Sequence, residues 1–308
     1  MSSNNIKIIK FMGQRKKAMF LSALMLLASI MSLGVNQLNF GLDFTGGTLV
    51  EVHYADTVSL DSVRQILESQ GYKNAVVVNF GSDRDLMIRL SEGYSDTLGI
   101  EIIKLLQNNS SMAVELRRIE FVGPQVGAEL REQGGLALLM ALGLVMLYVA
   151  FRFQLKFSVG AVVALIHDVV ITLGCFSIFG WDFDLTVMAA LLAVIGYSLN
   201  DTIVVSDRIR ENFRKVRKSL AEEVIDISLT ETLGRTLVTS LTTLLVLFAL
   251  FLLGGEMIHG FALALIIGVT IGTYSSIYVA ANVLLMLDIS KEDLMIPVKE
   301  GAELDDSP

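Results

Sequence analysis

Six stretches of this chain, 18–35, 134–151, 157–179, 185–205, 236–253 and 261–287, are apolar over about the 20 residues that a bilayer core requires. No other feature limits the fold so strongly. A backbone surrounded by hydrocarbon must satisfy its own hydrogen bonds, so six such runs imply six helices packed as a bundle. At 53% hydrophobic residues and a mean hydropathy of +0.61, the composition lies far from that of an average soluble domain. With 3 prolines in 308 residues, long helices can run unbroken. The 1 cysteine, Cys175, excludes an intrachain disulfide and lies in an apolar run, where it reads as a small packing residue. The first run follows basic residues but ends without a small-x-small cleavage pattern, so it reads as a retained anchor.

The net charge of -8 conceals a segregation of charge. Lys7, Lys10, Arg15, Lys16 and Lys17 precede the first run, and Arg152 and Lys156 flank the turn after the second. Arg208, Arg210, Arg214, Lys215, Arg217 and Lys218 follow the fourth run, and Lys291 follows the sixth. All of these fall on one side of a six-span chain. The short loops of the other side carry Asp182, Asp184 and Glu256 and neither Lys nor Arg. The positive-inside rule then places the tails 1–17 and 288–308 and the connection 206–235 in the cytoplasm, and the long polar stretch 36–133 outside it.

That stretch reads as a small α/β domain. Alternating β-type residues predict strands at 48–54, 75–80, 86–90 and 112–121, with a hairpin turn over 81–85. Helical spacing predicts helices at 59–70, opened by Ser59 as a cap, and at 94–107. The order β-α-β-β-α-β is that of a ferredoxin-like sandwich. His53 falls on a strand, with no second His or Cys nearby to make a metal site. In 206–235, Ile209, Phe213, Val216, Leu220, Val224 and Ile227 recur on one face, and the other face is basic in its first half. This predicts an amphipathic helix lying in the membrane interface.

Polar groups inside the runs bear on function. Asp201 lies in the fourth run, where a carboxylate costs roughly 2.5–3.5 kcal/mol on insertion scales and marks a functional site by default. Asn200 adjoins it, beside a small face of Ala189, Ala193 and Gly196. Arg235 opens the fifth run, with Thr239 and Thr242 following at helical spacing and Thr236, Ser240 and Thr243 beside them. Depth counting leaves Asp201 and Arg235 within reach of each other. On the third run Ala161, Ala164, Asp168, Thr172 and Cys175 form a stripe, and His167 points about 100° away from it. Ala264, Gly268, Gly272, Ser276 and Ala280 on the sixth run read as a helix-packing row. The glycine-bearing stretches 40–47 and 123–127 lack the lysine and spacing of a P-loop, so energy must come from an ion gradient or a partner.

Gly41, Asp43, Gly46 and Gly47 within 40–48, Gly123 and Pro124 before the second run, and 196–202 leading into 206–212 resemble the SecF branch of the bacterial SecD/SecF protein-export family. The likeness runs from Arg15 to about Asp288. It implies a polytopic α-helical membrane protein, a six-helix half of an RND-type bundle, with a ferredoxin-like extracytoplasmic domain. It implies the bacterial inner membrane, SecD as partner, the SecYEG channel, YajC and YidC as further associates, and exported unfolded polypeptide as cargo. It further implies that Asp201 and Arg235 conduct protons, with Asp168, Asn200, Thr239 and Thr242 in support. No catalytic residues, cofactor, metal or nucleic-acid partner are expected. Two other readings stay open: a half-transporter for lipids or small hydrophobic molecules, and a scaffold that transports nothing. A scaffold would not need Asp201, and the domain looks small for a small-molecule porter.

Overall fold

A computed structural model of the chain describes residues 8–290 except 74, 92–94, 96, 111, 217 and 218. Lys7, Arg217, Lys218 and Lys291, with residues 1–7 and 291–308 of the two predicted tails, lie outside the described residues. A single 3-10 turn at Met12–Gln14 leads into α1 (Arg15–Val35). A short connection follows, with β1 (Asn39–Phe40) and the one-turn α2 (Leu42–Thr45). Next come β2 (Gly47–Tyr54), α3 (Leu60–Ser69), β3 (Val76–Phe80), β4 (Ser82–Leu90), α4 (Leu98–Asn108) and β5 (Val114–Val122). The rest is α5 (Pro124–Arg152), α6 (Leu155–Phe179), β6 (Asp182–Phe183), α7 (Leu185–Lys215), α8 (Ala221–Leu253) and α9 (Glu256–Met286).

The four larger strands form one antiparallel sheet in the order β3-β4-β2-β5. Alternation places Val50, Val52 and Tyr54, Leu86, Ile88 and Leu90, and Val77 on its inner face. Val63 and Leu67 of α3, and Leu98, Ile102 and Leu106 of α4, cover that face at four-residue spacing. Ser59 takes the N-cap position of α3 without a side-chain cap bond. The hairpin is tighter than predicted. Gly81, at φ +76°, makes the turn almost alone, and β4 begins at Ser82.

The long helices pack with α6, α7 and α9 at the centre and α1, α5 and α8 outside. Small residues set the closest approaches. A side chain at Gly268 would overlap Val194, and one at Gly174 would overlap Ser29. At Gly160 a Cβ would stand 3.2 Å from the Ala280 carbonyl. The sixth-run row is therefore a packing surface, as its spacing suggests. Outward faces of α1, α5 and α8 expose Phe20, Leu139, Leu144, Leu241 and Leu245, which suits contact with lipid.

Three helices are longer than their apolar cores. α5 begins at Pro124, so 124–133 belong to the helix and not to the α/β domain. Its first turns are polar (Gln125, Glu129, Glu132 and Gln133), and hydropathy detects membrane depth, not helix length. Among the described residues, the connection 206–235 likewise contains no separate interfacial helix. α7 runs on to Lys215, α8 starts at Ala221, and the two extensions pack as an antiparallel pair. Ile209, Phe213 and Val224 are buried in the main apolar core with Met12. Asn212 Nδ2 donates to Ser228 Oγ at 3.0 Å and to Glu231 Oε2 at 2.7 Å. Ile209, Phe213 and Val224 of the predicted stripe thus face protein instead of headgroups, while Leu220 is exposed.

Candidate functional site

Two groups of residues stand out, one at the junction of domain and bundle and one at membrane depth. The junction is built by the glycine-bearing stretches. Gly46 and Gly47 have φ of 72° and 130°, conformations that side chains rarely adopt. A Cβ at Gly46 would lie 2.7 Å from Pro124 Cα, and one at Gly47 would overlap the Leu90 carbonyl oxygen. Gly41 N donates to the Phe183 carbonyl at 2.9 Å, beside the parallel β1–β6 ladder. Asp43 Oδ2 accepts from Leu185 N at 3.1 Å, satisfying a free amide at the start of α7. Asp184 Oδ1 takes another from Val187 N at 2.8 Å. From the domain, Arg89 reaches Asp182 at 2.9 Å. Pro124 occupies the first turn of α5, with Gly123 at its N-cap position.

Inside the bundle, Asp168 of α6 is completely buried. Its Oδ2 accepts from Ser198 Oγ of α7 at 2.5 Å and from Ser275 Oγ of α9 at 2.7 Å. Its Oδ1 lies 2.9 Å from His167 Nδ1. His167 does not point away from this carboxylate, as the sequence suggests. The ring turns back along the helix, so side-chain torsion overrides the 100° step between neighbouring residues. Asp168 thus ties the three central helices together. Ser198 and Ser275 carry no sequence signal that separates them from the other small residues of their rows.

Asp201 is buried at 3% exposure, and its Oδ2 has no hydrogen-bond partner. Tyr197 OH donates to Ser240 Oγ at 3.2 Å, which fixes the antiparallel register of α7 against α8. That register brings Asp201 opposite Thr236. Thr202 Oγ1 and Thr236 Oγ1 are also buried without partners. Arg235 is exposed at the start of the apolar part of α8, and no ion pair joins it to Asp201 among the described residues. Buried unpaired polar atoms are few in folded proteins, and three of them gather at this seam.

The supporting residues do not all gather here. Asn200 is exposed on the outside of the bundle, in line with the exposed Ala189, Ala193 and Gly196. Thr239 and Thr242 donate their hydroxyls to carbonyls of their own helix, at 3.0 Å and 2.8 Å, and Thr242 faces outward. The inward row of α8 is Thr236 and Ser240, the second of which also meets Thr273 at 2.7 Å. In the α/β domain, His53 Nδ1 lies 2.6 Å from Asp85 Oδ1. Ser82, followed by His53, holds the Asp85 carboxyl below the usual carboxylate range.

The model of the C-terminal region of the protein-export membrane proteins SecD and SecF matches residues 101–290, and the SecD/SecF GG motif matches residues 32–58. The chain belongs to the SecD/SecF protein-export family. Within it, the protein translocase subunit SecF of Vibrio alginolyticus is 54% identical, over 98% of both chains. That of Pseudomonas aeruginosa is 48% identical, over 99% of this chain and 100% of its own. The Escherichia coli O157:H7 subunit is 46% identical, over 96% and 94%. Among solved structures, SecDF from Thermus, a translocon-associated membrane protein, superposes with a TM-score of 0.84 at 37% identity. The match takes in 93% of this chain and 40% of that one. Family membership and six long apolar helices make the chain a polytopic helical membrane protein. The GG-motif region coincides with the glycines of the junction.

Proposed function

We propose that the chain is the SecF subunit of the accessory complex of the Sec translocase. In the bacterial inner membrane it works with SecD and uses the proton motive force to promote export through SecYEG. The observation that carries this reading is the unpaired, buried carboxylate of Asp201 facing the α8 seam beside Arg235. A carboxylate at membrane depth without a partner is costly to keep charged, so it is a group that can gain and lose a proton. The neighbouring row Ala189, Ala193, Gly196 and Asn200 faces out of the bundle, and nothing stands within 4 Å of a Cβ placed on Gly196. A small face with an amide at the depth of the acid suits close packing by a partner's transmembrane helix, which is the place for SecD. Coupling between Asp201 and Arg235 is tested by a double-mutant cycle with Arg235→Met, read as export in cells. Because Asp201→Asn alone is expected to reach the gradient-free level, the cycle is read at partial loss, with Asp201→Glu as the acid-site variant. The double variant is expected to lose less than the product of the two single losses. Losses that simply multiply, with Arg235→Lys silent, would leave Arg235 as a charge anchor only.

The basic residues at the helix ends support cytoplasmic termini and an α/β domain on the opposite side of the membrane. Strand order β3-β4-β2-β5 with two helices on one face supports a ferredoxin-like fold for that domain. Its edge strands, β3 and β5, offer unpaired backbone to an emerging extended chain. Photo-crosslinkers on β3 and β5 are expected to capture a stalled export substrate. Capture of SecD or SecY alone would make the domain a spacer.

A further inference from the structure

A cavity of about 410 Å³ lies between α1, α6 and α9, away from the α7–α8 seam. Its size falls within the roughly 300–1,000 Å³ of small-molecule pockets, and like them it is apolar with a few polar groups. His167 and Asn282 form part of its wall, at 2% and 4% exposure, and each has a nitrogen without a partner, His167 Nε2 and Asn282 Nδ2. The two differ in kind. His167 Nδ1 already faces the Asp168 carboxylate at 2.9 Å, whereas the Asn282 amide nitrogen can only donate. Ser22, also in the wall, is already bonded to Tyr274 OH at 2.9 Å. Asn282 Nδ2 is therefore a buried N–H donor in need of an acceptor, a need that a packed core does not leave unmet.

The rim shows where an occupant comes from. Met19, Ile166 and Met286 line the cavity and are exposed on the outer surface of the bundle, so the opening is sideways, toward acyl chains. Asn282 lies four residues from the end of α9, or about 6 Å along the axis. His167 lies twelve residues into α6, about 18 Å deep from the same end of the bundle. The donor thus sits near the boundary of the hydrocarbon core, and the apolar walls run inward from it. We propose that the cavity binds the acyl chain of a membrane phospholipid. The ester carbonyl accepts from Asn282 Nδ2, and the chain lies between α1, α6 and α9 down to His167.

The test uses the full chain with its co-expressed partner, in vesicles of phosphatidylethanolamine and phosphatidylglycerol. The probe is phosphatidylglycerol with a diazirine on its acyl chain, and labelled peptides are mapped by mass spectrometry. Label is expected to concentrate on the α1, α6 and α9 lining and to saturate with rising probe. On α5, around the exposed Leu139 and Leu144, it should rise in proportion to probe. Asn282→Leu keeps the volume and removes the donor, and should lower lining label about five- to tenfold. Ala23→Trp fills the cavity and should abolish it. Unchanged α5 label reports that each variant is folded. If lining label never saturates, or matches that on α5, the lipid there is ordinary surrounding lipid and the site is refuted. Crosslinks from the lining to a partner chain would refute it too, because a protein helix would then be the occupant. The saturation arm uses the unmodified protein and stands even if neither variant accumulates.

Discussion

Export from membranes carrying Asp201→Asn is expected to fall to the level seen without a proton gradient. The substitution keeps the shape of the side chain and removes only the ability to titrate. A merely structural role would survive it, because an amide is easier to bury than a carboxylate. The carboxylate is retained at a cost of roughly 2.5–3.5 kcal/mol on insertion scales, with Oδ2 unpaired, so stability does not explain its presence. Protonation of Asp201 weakens its attraction to Arg235. The seam between α7 and α8 then has two charge states for a gradient to drive between. The measurement is translocation into inverted vesicles with and without an imposed gradient, with the amount of inserted protein held equal. Full gradient-dependent export by Asp201→Asn would remove the residue from the proton path.

Asp168→Ala is expected to prevent stable accumulation of the protein, whereas Asp168→Asn is tolerated far better. Alanine leaves Ser198 Oγ, Ser275 Oγ and His167 Nδ1 without their shared acceptor and opens a void where three helices meet. Hydrogen bonds between helices in a bilayer average about 0.6 kcal/mol each, so the two serine bonds alone amount to about 1 kcal/mol. The unpaired buried donors, at about 1–3 kcal/mol each, and the void add to that loss, enough to unfold a marginal bundle. Asparagine still accepts from one serine and preserves volume. Protein level and thermal stability in detergent separate the two variants. If Asp168→Ala accumulates normally and loses only export, Asp168 acts in proton movement and not as the tie of the bundle.

Much of this was legible in the residues, for identifiable reasons. Apolar length over a bilayer's thickness located every spanning helix, and period-two alternation located the strands around Val50 and Ile88. Asp201 was visible because a charge has no cheap reason to be there. Hydropathy cannot register polar helix beyond the membrane, so 124–133 and the extensions of α7 and α8 were misread. Periodicity gives a face but not its neighbour. It could not tell that Thr239 and Thr242 spend their hydroxyls on their own backbone, or that Asn200 faces outward. Nor could it distinguish Ser275 from Ser276, since the choice depends on where α9 meets Asp168. The signature glycines were conspicuous, but the reason for them, contact with the Leu90 carbonyl and Pro124, exists only in three dimensions.

Asp43 holds the first turn of α7, and Arg89 holds the strand residue just before that helix. Asp201 sits sixteen residues along the same unbroken helix, about 24 Å away. A stiff rod gripped at its head behaves as a lever with little slack. Tilting the α/β domain on its glycine joint loads the rod at one end, and a change of charge on Asp201 loads it partway down. If Asp201 titrates as proposed, motion of the α/β domain and ionisation within the bundle share one mechanical member, and each loads the other.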